Sequence, residues 1–168
     1  LPQLAADIPQ GMKLIPYSPD GLLENVIKLM GFETLCYKLN EELDLVADVC
    51  AQVGKRLVEY YRRIVLYECV GACIVNDDWG YKTSTMLSPA TMRQFIFPWH
   101  KQMVKVIHAS GKPAILHSCG YFENIINDIT NSIGYDGRHS YEDNILPVEE
   151  AYEKYHHRMA VLGGIDLN

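Results

Sequence analysis

Short apolar runs alternate with longer amphipathic stretches along this chain, and that alternation limits the fold more than any other feature. Residues 12–17, 72–75, 113–119, 135–140 and 159–162 read as strands, too short and too apolar to be surface helices. Helical spacing fills the gaps between them. Pro19 after Ser18 suits a helix start, and Leu22, Leu23, Val26, Ile27 and Met30 form one face that Gly31 ends. Asn40 reads as the N-cap of a long helix, with Glu41 and Glu42 near its positive end. That helix carries Leu43, Val46, Val49, Val53, Leu57, Tyr60 and Ile64 on one stripe. Ser88-Pro89 opens another, whose stripe runs from Met92 through Phe95, Ile96, Trp99, Met103 and Val106 to Ile107, with Gly111 as its stop. Phe122, Ile125, Ile126 and Ile129 predict a further helical face, and residues 147–155 one more.

Strands that alternate with helices build a parallel sheet through right-handed crossovers, so the chain is α/β. An open doubly wound sheet and a (β/α)8 barrel both satisfy the pattern. Neither G-x-G-x-x-G nor G-x-x-x-x-G-K-[ST] occurs, which weakens the nucleotide-binding version of the open sheet. At 168 residues and 48% hydrophobic, the chain can bury one core without disulfide staples, and a single domain is expected. A net charge of −6 disfavours a nucleic-acid or anionic-membrane surface. No apolar run is long enough to span a bilayer, and five cysteines suit a reducing compartment, so a cytoplasmic location is expected.

The expected strands end in residues that carry chemistry. Asp77 and Asp78 close one, His117 and Cys119 the next, His139 another and Asp166 the last. Polar residues follow strands simply because turns are polar, but in a parallel barrel all these ends gather on the rim where catalytic groups sit. His117-Ser118-Cys119-Gly120 is the sharpest item. Residues two apart in a strand share a face, so an imidazole and a thiol, both good zinc ligands, lie side by side. A catalytic zinc needs a third protein ligand. Asp77 and Asp78 are adjacent and face opposite ways, so only one enters a shared pocket. Lys82 in the following loop and Tyr17 at the end of the first strand are candidates for substrate contact. Cys36, Cys50, Cys69 and Cys73 read as structural, and His100, His108, His156 and His157 as non-ligating.

In order along the chain stand Asp77-Asp78-Trp79-Gly80-Tyr81-Lys82, Leu87-Ser88-Pro89, Pro98-Trp99-His100, Leu116-His117-Ser118-Cys119-Gly120, Gly134-Tyr135-Asp136, His139-Ser140-Tyr141-Glu142-Asp143 and Leu162-Gly163-Gly164-Ile165-Asp166. Together these resemble the uroporphyrinogen decarboxylase superfamily from about Met12 onward. The resemblance implies a (β/α)8 barrel. It is nearest to the branch of zinc- and corrinoid-dependent methyltransferases, where H-x-C-G supplies two zinc ligands, here His117 and Cys119, and a later cysteine the third. That third position would fall beyond Asn168. The implied chemistry is methyl transfer between methylcobalamin on a partner corrinoid protein and a small thiol or methyl ether. Asp77 or Asp78, His139 and Asp166 would shape the pocket or orient the zinc ligands.

Two other readings stay open at this point: metal-free decarboxylation of a tetrapyrrole, and a corrinoid- or tetrapyrrole-binding barrel without catalysis. The decarboxylase branch uses an N-terminal arginine and aspartate that are not found here, and it lacks the H-x-C pair. A barrel of this kind needs about 250 residues. The expectation is therefore an incomplete barrel of roughly five βα units, with segments absent at both ends.

Overall fold

The computed structural model describes residues 6–163. Its elements are α1 (Leu22–Met30), α2 (Phe32–Glu41), α3 (Leu43–Ile64), β1 (Cys73–Asn76), α4 (Pro89–Phe95), α5 (Phe97–His108), β2 (Ala114–His117), β3 (Gly137–His139), α6 (Val148–Tyr155) and β4 (Ala160–Leu162). The four strands form one sheet in the order β1-β2-β3-β4, and every pairing is parallel. The expected first strand is reduced to bridges, Leu14 with Val70 and Tyr17 with Ile74, both parallel. It lies beside β1 without forming a fifth strand of the sheet. Each strand is followed by helical structure that crosses back before the next, which is the winding of a (β/α)8 barrel carried through about five of its eight units.

The two faces of the sheet differ. Cys73 and Val75 of β1 and Ala114 and Leu116 of β2 are buried, and the core they join continues through Leu23 and Val26 of α1, Val46 and Tyr61 of α3, and Met103 and Ile107 of α5. Ile74, Asn76, His117, His139 and Leu162 point the other way and stay half-buried or exposed. In a closed barrel that second face is the interior. Among the described residues no helix is long and apolar enough to cross a membrane.

Several expected elements change form. Gly31 does end α1, but α2 follows at once. Asn40 therefore lies inside a helix, bonding its amide to the Cys36 carbonyl, and the long helix starts after Glu42. The stripe from Met92 to Ile107 breaks into α4 and α5 around Ile96. Pro98 explains the break, since it has no N–H to give and its ring crowds the preceding turn. Ser88 caps α4 as expected, accepting the Thr91 N–H at 3.1 Å. In place of one helix after Phe122, a 3₁₀ turn (Glu123–Ile125) precedes a π-helical stretch (Asp128–Ile133).

Candidate metal centre

Strand register builds the site. Asn76 pairs with His117 and His117 with His139, placing three polar side chains in one row at the C-terminal ends of neighbouring strands. One step further along, Asp78 and Cys119 continue the same face. His117 Nε2 lies 3.8 Å from Cys119 Sγ and 3.9 Å from Asp78 Oδ1. One ligand atom from each of Asp78, His117 and Cys119 falls within 4.8 Å of the others. The other ring nitrogen of His117, Nδ1, is 2.7 Å from His139 Nδ1. One of these two nitrogens must carry the shared proton. If His117 donates, its Nε2 lone pair faces Cys119 and Asp78.

The loops that carry these residues are tightly fixed. Asp78 Oδ1 accepts the Cys119 N–H at 2.8 Å, tying the β1 loop to the β2 loop. Ser118 Oγ accepts the Trp79 N–H, and Glu142 accepts the Gly120 N–H. Gly80 and Gly120 cross backbone to backbone: a Cβ on Gly120 would sit 2.3 Å from the Gly80 carbonyl carbon, and Gly120 has φ +78. Glycine is required there on both counts. Ser140 is the one non-glycine residue with positive φ among the described residues, at 82°, and its hydroxyl lies 3.4 Å from Cys119 Sγ.

Asp77 points to the opposite face, as adjacent strand residues must, and is fully buried. Its carboxylate accepts the N–H groups of Leu23 and Glu24 at the start of α1, and the Trp79 indole N–H. Its Oδ2 also meets His100 Nε2 at 2.9 Å. Asp77 thus caps α1 from another part of the chain. Gly21 makes this docking feasible, because any Cβ there would strike Asn76 and Asp77. His100, also fully buried, passes the network on to the Tyr135 hydroxyl at 2.6 Å.

Burial governs the electrostatics. It lowers the pKa of His117, with Asp78 pulling the other way and His139 and Arg138 adding to the fall. It raises the Cys119 thiol, against a lowering contribution from the Ser140 hydroxyl. At neutral pH the pair is therefore a neutral imidazole beside a protonated thiol. Glu24 is raised chiefly by burial, opposed by its bond from the Gly21 N–H and reinforced by Asp77 and Asp78.

The sequence candidates separate accordingly. Asp78, His117, Cys119 and His139 come together, and Asp77 stands apart in the core. Tyr17 is exposed, and its carbonyl accepts the Tyr60 hydroxyl. Lys82 is exposed in the 80–85 hairpin and makes no hydrogen bond or ion pair among the described residues. Asp166 lies outside the described residues. Cys50 and Cys73 are buried, their thiols pushed up to about 11. Three neighbours of the cluster escaped sequence reasoning: Glu24, whose carboxylate takes the Asn76 amide at 2.9 Å, Arg138 and Ser140. A charged residue inside the short run 135–140 was the available signal for Arg138.

The donor set fits zinc. A tetrahedral zinc with nitrogen, oxygen and sulfur ligands spaces them roughly 3.3–3.7 Å apart. The two distances from His117, 3.8 and 3.9 Å, are slightly longer than this, and all three ligand atoms lie within 4.8 Å of one another. A thiol and an imidazole beside one carboxylate suit zinc far better than magnesium or calcium, which favour oxygen.

The family model for uroporphyrinogen decarboxylase (URO-D) matches residues 19–167. Among solved structures, a methyltransferase from Methanosarcina mazei is similar with a TM-score of 0.78 and 16% sequence identity, over 97% of this chain. This chain spans 46% of the length of that protein, so the likeness establishes a partial barrel. No curated protein sequence matches the chain.

Proposed function

Because the chain belongs to the uroporphyrinogen decarboxylase family, we propose that it serves zinc-dependent methyl transfer between a corrinoid protein and a small thiol or methyl ether. The observation that carries this reading is the imidazole–thiol–carboxylate cluster of His117, Cys119 and Asp78 at the strand ends. The shared fold with a methyltransferase supports it further. His117 and Cys119 are the ligands. Among the described residues Asp78 is the nearest third donor.

Zinc bound there would act as a Lewis acid, holding a substrate thiol as thiolate at neutral pH. The protein's own groups prepare the site. His139 fixes the His117 ring by accepting the hydrogen bond from its Nδ1–H, which leaves Nε2 free to ligate. Ser140 offers its hydroxyl to the Cys119 sulfur. Asp78 is held in place by the Cys119 N–H. Tyr17 and Lys82 are assigned to substrate contact. Methylcobalamin bound to the partner would supply the methyl group: the S–C bond to the thiolate would form as the Co–C bond breaks, its electron pair staying with cobalt.

The test is incubation of the zinc-loaded protein with methylcobalamin and a panel of small thiols. Loss of the alkyl-cobalamin absorbance together with a methyl thioether by mass spectrometry is expected, and both should disappear in His117→Ala and Cys119→Ala. Unaltered methylcobalamin with every thiol and methyl ether offered would overturn the assignment.

A further inference from the structure

Arg138 stands between Gly137 and His139 on β3, so its side chain leaves the sheet on the face opposite His139. It is 1% exposed. Its guanidinium lies 3.7 Å from the centre of the Phe122 ring and 4.8 Å from that of Tyr141. Its terminal nitrogens donate to backbone carbonyls: Nη2 to Ser118 at 2.7 Å and Gly120 at 3.3 Å, the residues on either side of Cys119, and Nη1 to Ser140 at 2.5 Å.

A desolvated guanidinium, offset only in part by the charge of Glu142, is an expensive way to hold two loops together, so its position calls for a reason. The loops it joins are the ones that bring Cys119 Sγ and Ser140 Oγ to 3.4 Å. Ser140 also adopts a backbone conformation that residues with a Cβ disfavour, and Arg138 bonds its carbonyl in that conformation. We propose that Arg138 is a positioning residue for the metal centre. By gathering the carbonyls on both sides of Cys119 with that of Ser140, it sets the thiol in ligating geometry and holds the Ser140 hydroxyl against it. This rests on zinc binding by His117 and Cys119. A planar fork suits the task, because its separate N–H groups reach carbonyls on two loops while the carbon of the guanidinium packs against the Phe122 and Tyr141 rings.

The experiment compares wild type with Arg138→Lys, Arg138→Met and, as a control in the core remote from the strand ends, Ile107→Val. Each is measured for zinc affinity by chelator competition, for the thiolate-to-metal charge-transfer band after cobalt(II) substitution, and for its urea midpoint. Arg138→Lys should bind zinc roughly 10- to 100-fold more weakly, the range for groups that orient a ligand, with a weakened charge-transfer band. Ile107→Val should lower the urea midpoint and leave both metal readouts unchanged. Arg138→Lys keeps the charge and most of the volume, so it decides the matter if Arg138→Met does not fold. Affinity within twofold of wild type in Arg138→Lys, or a loss matched by Ile107→Val, would overturn the role of Arg138 alone. No zinc binding by wild type would overturn the zinc reading and this inference together.

Discussion

Exchanging either of the adjacent aspartates for asparagine should produce opposite defects. Asp77 is fully buried, and its Oδ2 receives the N–H of Leu23 at 3.0 Å and that of the Trp79 indole at 2.9 Å, and meets His100 Nε2 at 2.9 Å. Its Oδ1 receives the Glu24 N–H at 3.1 Å. In Asp77→Asn the amide oxygen can replace Oδ2, but the NH₂ then faces the Glu24 N–H, donor against donor. Leaving that buried donor unmet costs about 1–3 kcal/mol. The remaining bonds, no longer assisted by charge, each weaken by about half a kcal/mol. The sum is roughly 3 kcal/mol. With a urea m-value of about 2 kcal/mol/M, the midpoint should fall by roughly 1.5 M. Asp78→Asn keeps an oxygen for the Cys119 N–H and sits partly exposed, so it should cost under about 1 kcal/mol. Its zinc affinity should nevertheless fall about tenfold or more, since a neutral amide is a poor ligand. Urea unfolding and chelator competition on both variants check this. Equal losses of stability, or an Asp77→Asn loss below about 1 kcal/mol, would refute the division of labour between the two carboxylates.

Three further outcomes follow from the same geometry. Burial keeps the Cys119 thiol protonated at pH 7 while His117 is already neutral, so zinc must displace a thiol proton. Its affinity should rise about tenfold per pH unit up to the raised thiol pKa, and proton competition by His117 should set in only on the acid side of its ordinary range. Proton release measured in weak buffer at pH 7 should be about one per zinc, and a pH-independent affinity would contradict this. His139→Ala removes the partner of His117 Nδ1 from an exposed position, so zinc affinity should drop roughly tenfold with little change in the urea midpoint. Gly120→Ala meets the Gly80 backbone at 2.3 Å with φ +78, and should lower stability by about 3 kcal/mol in urea unfolding.

What the sequence disclosed depended on how local the cause was. The pairing of His117 with Cys119 was legible because strand periodicity alone puts residues two apart on one face. The opposed directions of Asp77 and Asp78 were legible for the same reason, but which of them joins the cluster depends on which face the helices cover. His139 was expected near the rim. Its contact with His117 comes from the β2–β3 register, which no local pattern encodes. The roles of Glu24 and Arg138 depend on partners 52 and about 20 residues away in sequence, so they emerge only from tertiary packing. The helix errors have nearer causes. Asn40 looked like a cap because a polar residue precedes the acidic pair, yet α2 already occupied it, and the even apolar stripe from Met92 to Ile107 hid the break made by Pro98.

The most direct test of the proposed zinc site is metal titration of the metal-free protein combined with X-ray absorption at the zinc edge. One zinc per chain is predicted, with at least one sulfur and one imidazole nitrogen among its ligands, and both His117→Ala and Cys119→Ala should lose it. No stoichiometric zinc, or a bound zinc indifferent to both substitutions, would contradict the account.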